Sequence, residues 1–136
     1  MKKFNLKLVA LSLALVLCTS VLTACGGGGD TVTVGSKQFT ESILVGEMLA
    51  QLVEAKTDLK VERKLNLGGT TVVALAIQNQ EIDFYLEYSG TAYNELLKLT
   101  REAGMTPDDV YEAAKKGLNE QLGITALDPI GMNNAF

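Results

Sequence analysis

Thr31-Val32-Thr33-Val34-Gly35-Ser36-Lys37-Gln38-Phe39-Thr40-Glu41 is the stretch on which the fold turns, because a β-branched run passes here into a helical apolar period. Val32-Thr33-Val34 reads as a first strand. Gly35 to Phe39 reads as a loop, and Thr40 as the cap of a helix in which Leu44, Met48, Leu52 and Val45, Leu49, Val53 recur every four positions. The alternation then repeats. Lys60 to Leu67 is a second strand with Val61, Arg63 and Leu65 facing one way, and Gly68-Gly69-Thr70 turns the chain into an apolar helix, Val72 to Ile77, that Asn79 ends. Ile82-Asp83-Phe84-Tyr85-Leu86-Glu87-Tyr88 is a third strand, and Ser89-Gly90-Thr91 opens a helix through Leu97. Thr106-Pro107-Asp108-Asp109 carries a strong start signal: a cap, a proline at the first helical position, and acids in the first turn. That helix is expected to run to about Leu122, followed by Gly123, with a short strand from Thr125 to Leu127. Strands alternating with helices place the chain in the α/β class, a parallel-sheet core with flanking helices.

Upstream of this unit, Lys2, Lys3 and Lys7 precede a stretch from Leu8 to Leu22 that is apolar apart from small polar residues, and Leu22-Thr23-Ala24-Cys25 closes it. A basic start, a short apolar run and small residues before a cleavage point are the order of an export signal. The pattern resembles the lipobox of bacterial lipoproteins, in which the cysteine becomes the acylated first residue. Residues 1–24 are therefore expected to be a signal peptide, Cys25 the lipidation site, and residues 25–31, with Gly26 to Gly29, a flexible tether. An uncleaved anchor, or a secreted protein cut after Ala24 without lipid, is the other reading. The expected location is the extracytoplasmic face of the cell membrane.

Loss of residues 1–24 removes three lysines and moves the net charge from −4 to −7, which argues against nucleic acid as a partner. Both cysteines, Cys18 and Cys25, belong to the export segment, so no thiol remains for a disulfide, a nucleophile or a metal. The chain has no histidine, which removes the usual general base and the common zinc ligand. Ser36, Ser42 and Ser89 lack a Gly-x-Ser-x-Gly elbow. No catalytic residue, metal or cofactor is expected.

Two motifs carry a resemblance: Gly35-Ser36-Lys37-Gln38-Phe39-Thr40-Glu41 after the first strand and Glu87-Tyr88-Ser89-Gly90-Thr91 after the third. Leu67-Gly68-Gly69-Thr70 and the stretch Ala74 to Asp83 stand between them, and Ile130-Gly131-Met132-Asn133-Asn134-Ala135-Phe136 follows. In this order they resemble the solute-binding proteins of osmoprotectant ABC importers, which bind glycine betaine, carnitine and choline. The resemblance covers Val32 to Phe136. It implies a periplasmic-binding-protein-like (type II) fold of two α/β lobes closing on a ligand, of which residues 32–136 would supply the first lobe up to the hinge. The ending on Asn133-Asn134-Ala135-Phe136, without a capping helix, reads as an N-terminal fragment with the second lobe absent.

A trimethylammonium group has no N–H to donate, so aromatic faces must hold it, each contributing roughly 0.5–2 kcal/mol. Tyr88 lies at the carboxyl end of an expected parallel strand, where open α/β sheets bind ligands. Tyr85 would point to the opposite face, and half-buried packing accounts for Tyr85, Tyr93 and Tyr111. The resemblance implies cage rings at Tyr88 and Phe136. At Phe136 the ring is kept and the usual hydroxyl is lost, and Asn134 stands where some members place an acid. It further implies that Thr91 touches the ligand's polar tail, and that Lys37 and Gln38 hold a carboxylate or line the pocket. A helix N-cap for Thr91 and a solvated loop lysine for Lys37 are the bland alternatives. Threonine at position 91, where an acid would select a cationic alcohol, leans toward a zwitterion-tolerant site. The implied function is a lipid-anchored receptor that passes a quaternary ammonium osmolyte to permease subunits in the membrane. The alternative is a small single-domain envelope lipoprotein with an adhesion or structural role.

Overall fold

The computed structural model describes residues 30–132. Strand β1 (Thr31–Lys37) leads to helix α1 (Thr40–Lys56), strand β2 (Lys60–Gly68) and helix α2 (Thr70–Gln78). A short turn α3 (Ser89–Thr91) runs directly into a π-helical turn, π1 (Ala92–Leu96), and α4 (Pro107–Leu122) closes the series. β1 and β2 pair in parallel, so the α/β class with a parallel sheet stands as expected.

β1 is longer than its β-branched run. Gly35, Ser36 and Lys37, expected in a loop, are strand, because β2 accommodates them with an irregularity. The register runs Thr31 opposite Lys60 through Gly35 opposite Lys64, then jumps to Lys37 opposite Gly68. β2 absorbs the surplus at Asn66, whose φ of 61° is a left-handed value that asparagine tolerates. The Asn66 N–H, displaced from the ladder, donates to Ser36 Oγ at 2.8 Å.

The expected third strand does not form. Residues 82–88 pair with β1 only as an isolated parallel bridge, Val34 opposite Phe84, in which the Asp83 and Phe84 N–H groups donate to the Thr33 carbonyl at 2.7 and 3.3 Å. Gly35 N–H donates to the Phe84 carbonyl at 2.8 Å, but the ladder is stopped on both sides of that bond. Before it, the Asp83 carboxylate accepts the Thr33 N–H at 2.7 Å. Beyond it, the Lys37 N–H turns to Ser42 Oγ at 2.9 Å. Side-chain acceptors thus take the donors that a continuous ladder would use. Thr125 to Leu127 is likewise not a strand.

In α1 the N-cap position belongs to Phe39, and Thr40 is the first helical residue rather than the cap. Of the two expected apolar stripes, the one containing Val45 packs on the sheet with Ser42, Gly46 and Ala50, whereas Leu44, Met48 and Leu52 lie exposed. Gly46 permits that approach, since a Cβ there would stand 2.9 Å from Leu65 Cδ2 and 3.3 Å from the Gly35 carbonyl oxygen. α2 ends at Asn79 as expected, and Val73, Ala76 and Ile82 form a small core with Leu67, Ile77 and Tyr85 beside it.

A second core joins Ala92, Tyr93 and Leu97 to Val110, Ala114 and Leu118 of α4 and to Ile124. α4 begins as its start signal predicts. Thr106 Oγ1 accepts the Asp109 N–H at 3.2 Å, and Asp109 returns a carboxylate oxygen to the Thr106 N–H at 2.7 Å, a complete capping box. Gly123 ends the helix at φ 67°, the left-handed conformation glycine adopts freely. The helix expected over Ser89 to Leu97 is in place but widens after its first turn, where the Leu97 N–H reaches back five residues to the Ala92 carbonyl at 3.0 Å.

Candidate ligand-binding site

The two motif segments meet at the carboxyl end of β1. Lys37 is the last residue of the strand, and its side chain runs inward with only 4% of its surface exposed. A buried ammonium needs compensation. It has it: Nζ forms an ion pair with Glu87 and donates to Thr70 Oγ1 at 3.3 Å. Glu87 lies 12% exposed. Its Oε1 also accepts the Tyr88 N–H at 2.8 Å, while Oε2 is buried with no partner within hydrogen-bond distance among the described residues. Burial pushes the Glu87 carboxyl above its ordinary range, and the contrary pull of Lys37 offsets this only in part. Burial raises the neighbouring Tyr85 hydroxyl as well, reinforced by the Glu87 charge.

Above this ion pair stand two rings. Phe39 and Tyr88 are stacked, with centroids 6.3 Å apart and planes 26° from parallel. Lys37 Nζ lies 5.8 Å from the Phe39 centroid and 5.5 Å from that of Tyr88, so the pair already faces one cation. Tyr88 is held from its other end, because its hydroxyl donates to Glu41 Oε1 in the first turn of α1 at 2.7 Å. Phe39 is 37% exposed, which leaves ring surface open on the outside. The local reasons are visible in the chain. Phe39 ends the link between β1 and α1, Glu41 is the acid of the first turn, and Tyr88 is the N-cap residue of α3.

Of the residues singled out in the sequence, Lys37 and Tyr88 are brought together. Lys37 is neither a solvated loop lysine nor a free cation, since Glu87 and Thr70 occupy it. Gln38 is exposed, and its N–H is committed to the Gly68 carbonyl at 2.9 Å. Thr91 is half-buried as the last residue of the turn that Tyr88 caps; it holds the N-cap position of π1, with a helical backbone and no capping bond from its side chain. Gly69 takes the N-cap position of α2, the helix-entry role open to the Gly68-Gly69 pair. Asn134, Phe136 and Cys25 lie outside the described residues. Sequence reasoning did not single out Phe39, Glu41, Glu87 or Thr70. The signal for Glu87 was its charge in the otherwise apolar run from Leu86 to Tyr88, and that for Phe39 an aromatic ring in a polar link.

A cavity of about 660 Å³ lies elsewhere, along residues 82–87 and the chain after α4. Leu49, Ile82, Leu86, Leu118, Ile124 and Ile130 give it apolar walls, and it touches the ring cluster only through Glu87 and Tyr85. The convergent charges and stacked rings are at the β1 end, and that is where recognition chemistry is concentrated.

Residues 30–136 match the family model OpuAC, the substrate binding domain of ABC-type glycine betaine transport systems. The chain is 35% identical to the carnitine transport binding protein OpuCC of Listeria monocytogenes, across 96% of this chain and 44% of that one. It is 32% identical to the glycine betaine-binding protein YehZ of Escherichia coli, across 96% of this chain and 42% of that one. The chain thus spans less than half the length of these relatives. The solved structure of apo YehZ from Escherichia coli superposes with a TM-score of 0.61 at 33% identity, covering 71% of this chain and 33% of that one.

Proposed function

The chain belongs to the family of substrate binding domains of ABC-type glycine betaine transport systems, and from that premise we propose that it contributes one wall of a site for a quaternary ammonium osmolyte, of the glycine betaine, carnitine or choline type. The observation that carries this is the stacked pair Phe39–Tyr88, assembled from two segments some fifty residues apart and backed by a neutralised ion pair. Such a surface suits a cation that cannot be hydrogen-bonded. Two rings contribute about 1–4 kcal/mol between them. That corresponds to affinity no tighter than about millimolar, so further rings are needed for a micromolar receptor. Phe136 is the candidate ring within this chain, with Asn134 offering a carbonyl dipole and Thr91 toward the ligand's polar tail.

In this reading the protein is exported, Cys25 carries the lipid, and the bound osmolyte passes to a membrane permease. The anionic end of a betaine is not matched to Lys37 alone, whose charge Glu87 already balances. Titration of the chain with glycine betaine, carnitine and choline, followed by NMR at matched ionic strength, tests the binding claim. The Tyr88 and Phe39 ring signals are expected to move in the millimolar range, and the Phe39 signal to stop moving in Tyr88→Ala. Ligand-independent ring signals would overturn it. Labelling of growing cells with a radioactive fatty acid tests the anchor, and label retained by Cys25→Ala would refute it.

A further inference from the structure

We propose that Glu41 is a specificity-determining residue of the ring site, biasing it toward ligands with net positive charge over zwitterions. This rests on the quaternary ammonium reading and adds a residue and a selectivity to it.

Among the described residues, the cluster around the rings holds three charged side chains: Lys37, Glu87 and Glu41. Lys37 and Glu87 cancel each other in a buried ion pair. Glu41 makes no ion pair among the described residues, so among them its carboxylate is the unbalanced charge of the site. Its position is fixed. The 2.7 Å bond from the Tyr88 hydroxyl holds it at the rim of the ring on which a cation would stack. A hydroxyl that donates to a carboxylate also makes its ring richer in electrons, which strengthens attraction for a cation. A ligand on that ring lies well inside the roughly 10 Å over which salt screens charges at ordinary ionic strength. A bare cation therefore gains from Glu41, whereas a zwitterion gains at its ammonium and loses at its carboxylate. This opposes the lean toward zwitterions that Thr91 alone suggests.

The experiment compares tetramethylammonium chloride with glycine betaine by NMR titration of the full chain, with sodium chloride balancing ionic strength. Wild type is expected to prefer tetramethylammonium. Glu41→Gln keeps an acceptor for the Tyr88 hydroxyl and removes the charge. It is expected to weaken tetramethylammonium about three- to tenfold, the factor for one partly solvated charge, and to leave glycine betaine within about twofold. Tyr88→Phe keeps the ring and releases Glu41, and the preference is expected to shrink there too, which covers the case in which Glu41→Gln fails to fold. Equal loss for both ligands would mark Glu41 as merely structural and overturn the inference while leaving the binding reading intact, and no change for either would do the same. Binding of neither ligand by wild type would bring down both.

Discussion

Removing the Lys37 ammonium while leaving the Glu87 carboxylate in place tests the centre of the site most severely. Lys37→Met keeps most of the stem and strands a carboxylate that is 12% exposed and has one oxygen with no hydrogen-bond partner among the described residues. Breaking a buried pair by removing one member costs about 3–5 kcal/mol, because a charge is left uncompensated in low dielectric. The lost bond to Thr70 and the two ring contacts act in the same direction, while the Tyr88 N–H still holds Oε1, so about 3 kcal/mol is expected. A domain of this size has roughly 5–15 kcal/mol in all. With a urea dependence of about 1–3 kcal/mol per molar, the unfolding midpoint should fall by about 1–3 M. Lys37→Met with Glu87→Gln should recover most of the loss, since no charge then remains buried.

The pH dependence has a definite sign. Burial holds the folded Glu87 carboxyl above its ordinary 4.5, so protonation favours the folded state. Its contribution is fully present below 4.5 and is lost as pH rises through the raised value. Lys37 is the main influence lowering that value, so its removal raises it further. The deficit of Lys37→Met should be widest at neutral pH and narrow as pH falls toward 4.5. A loss below about 1 kcal/mol, a double variant no better than the single one, or a deficit that widens in acid would refute the reasoning.

Thr106→Ala breaks the capping box of α4 and should cost about 1 kcal/mol, lowering the melting temperature by about 4–8 °C, whereas Thr106→Ser should retain most of it. Gly35→Ala places a Cβ 2.5 Å from Ile82 Cδ1 and should destabilise by about 1–3 kcal/mol in chemical denaturation, with Ile82→Val recovering part of that. Arg63 bridges the half-buried Glu47 and the exposed Glu54 of α1 from β2, and its hydrogen bonds hold both carboxyls below the ordinary range. In Arg63→Gln, NMR titration of the side-chain carboxyl carbons should show both moving back up, and unchanged titration would deny the bridge.

The chain is legible where the deciding interactions are local. α4 is the clearest case, because cap, proline, first-turn acids and terminal glycine all act within a turn of where they stand. β2 and α2 follow for the same reason. What the sequence pattern misses depends on partners far along the chain. Ile82 to Tyr88 has the composition of a strand, yet its pairing is decided by Asp83 taking the Thr33 N–H and by Ser42 taking that of Lys37. Nothing in the run itself announces that its intended donors are spent on side chains. The outward turn of Leu44, Met48 and Leu52 is equally non-local, because two equivalent stripes compete for the sheet and the small residues Ser42, Gly46 and Ala50 decide between them. At the site, both motifs were visible, but the reason they belong together was not. The register jump at Asn66 lets β1 run on to Lys37, and only then can its ammonium reach Glu87 and set Tyr88 against Phe39. An irregularity in one strand thus determines which face of a tyrosine is offered to a ligand, and a change at Asn66 should disturb the ring pair without touching either ring.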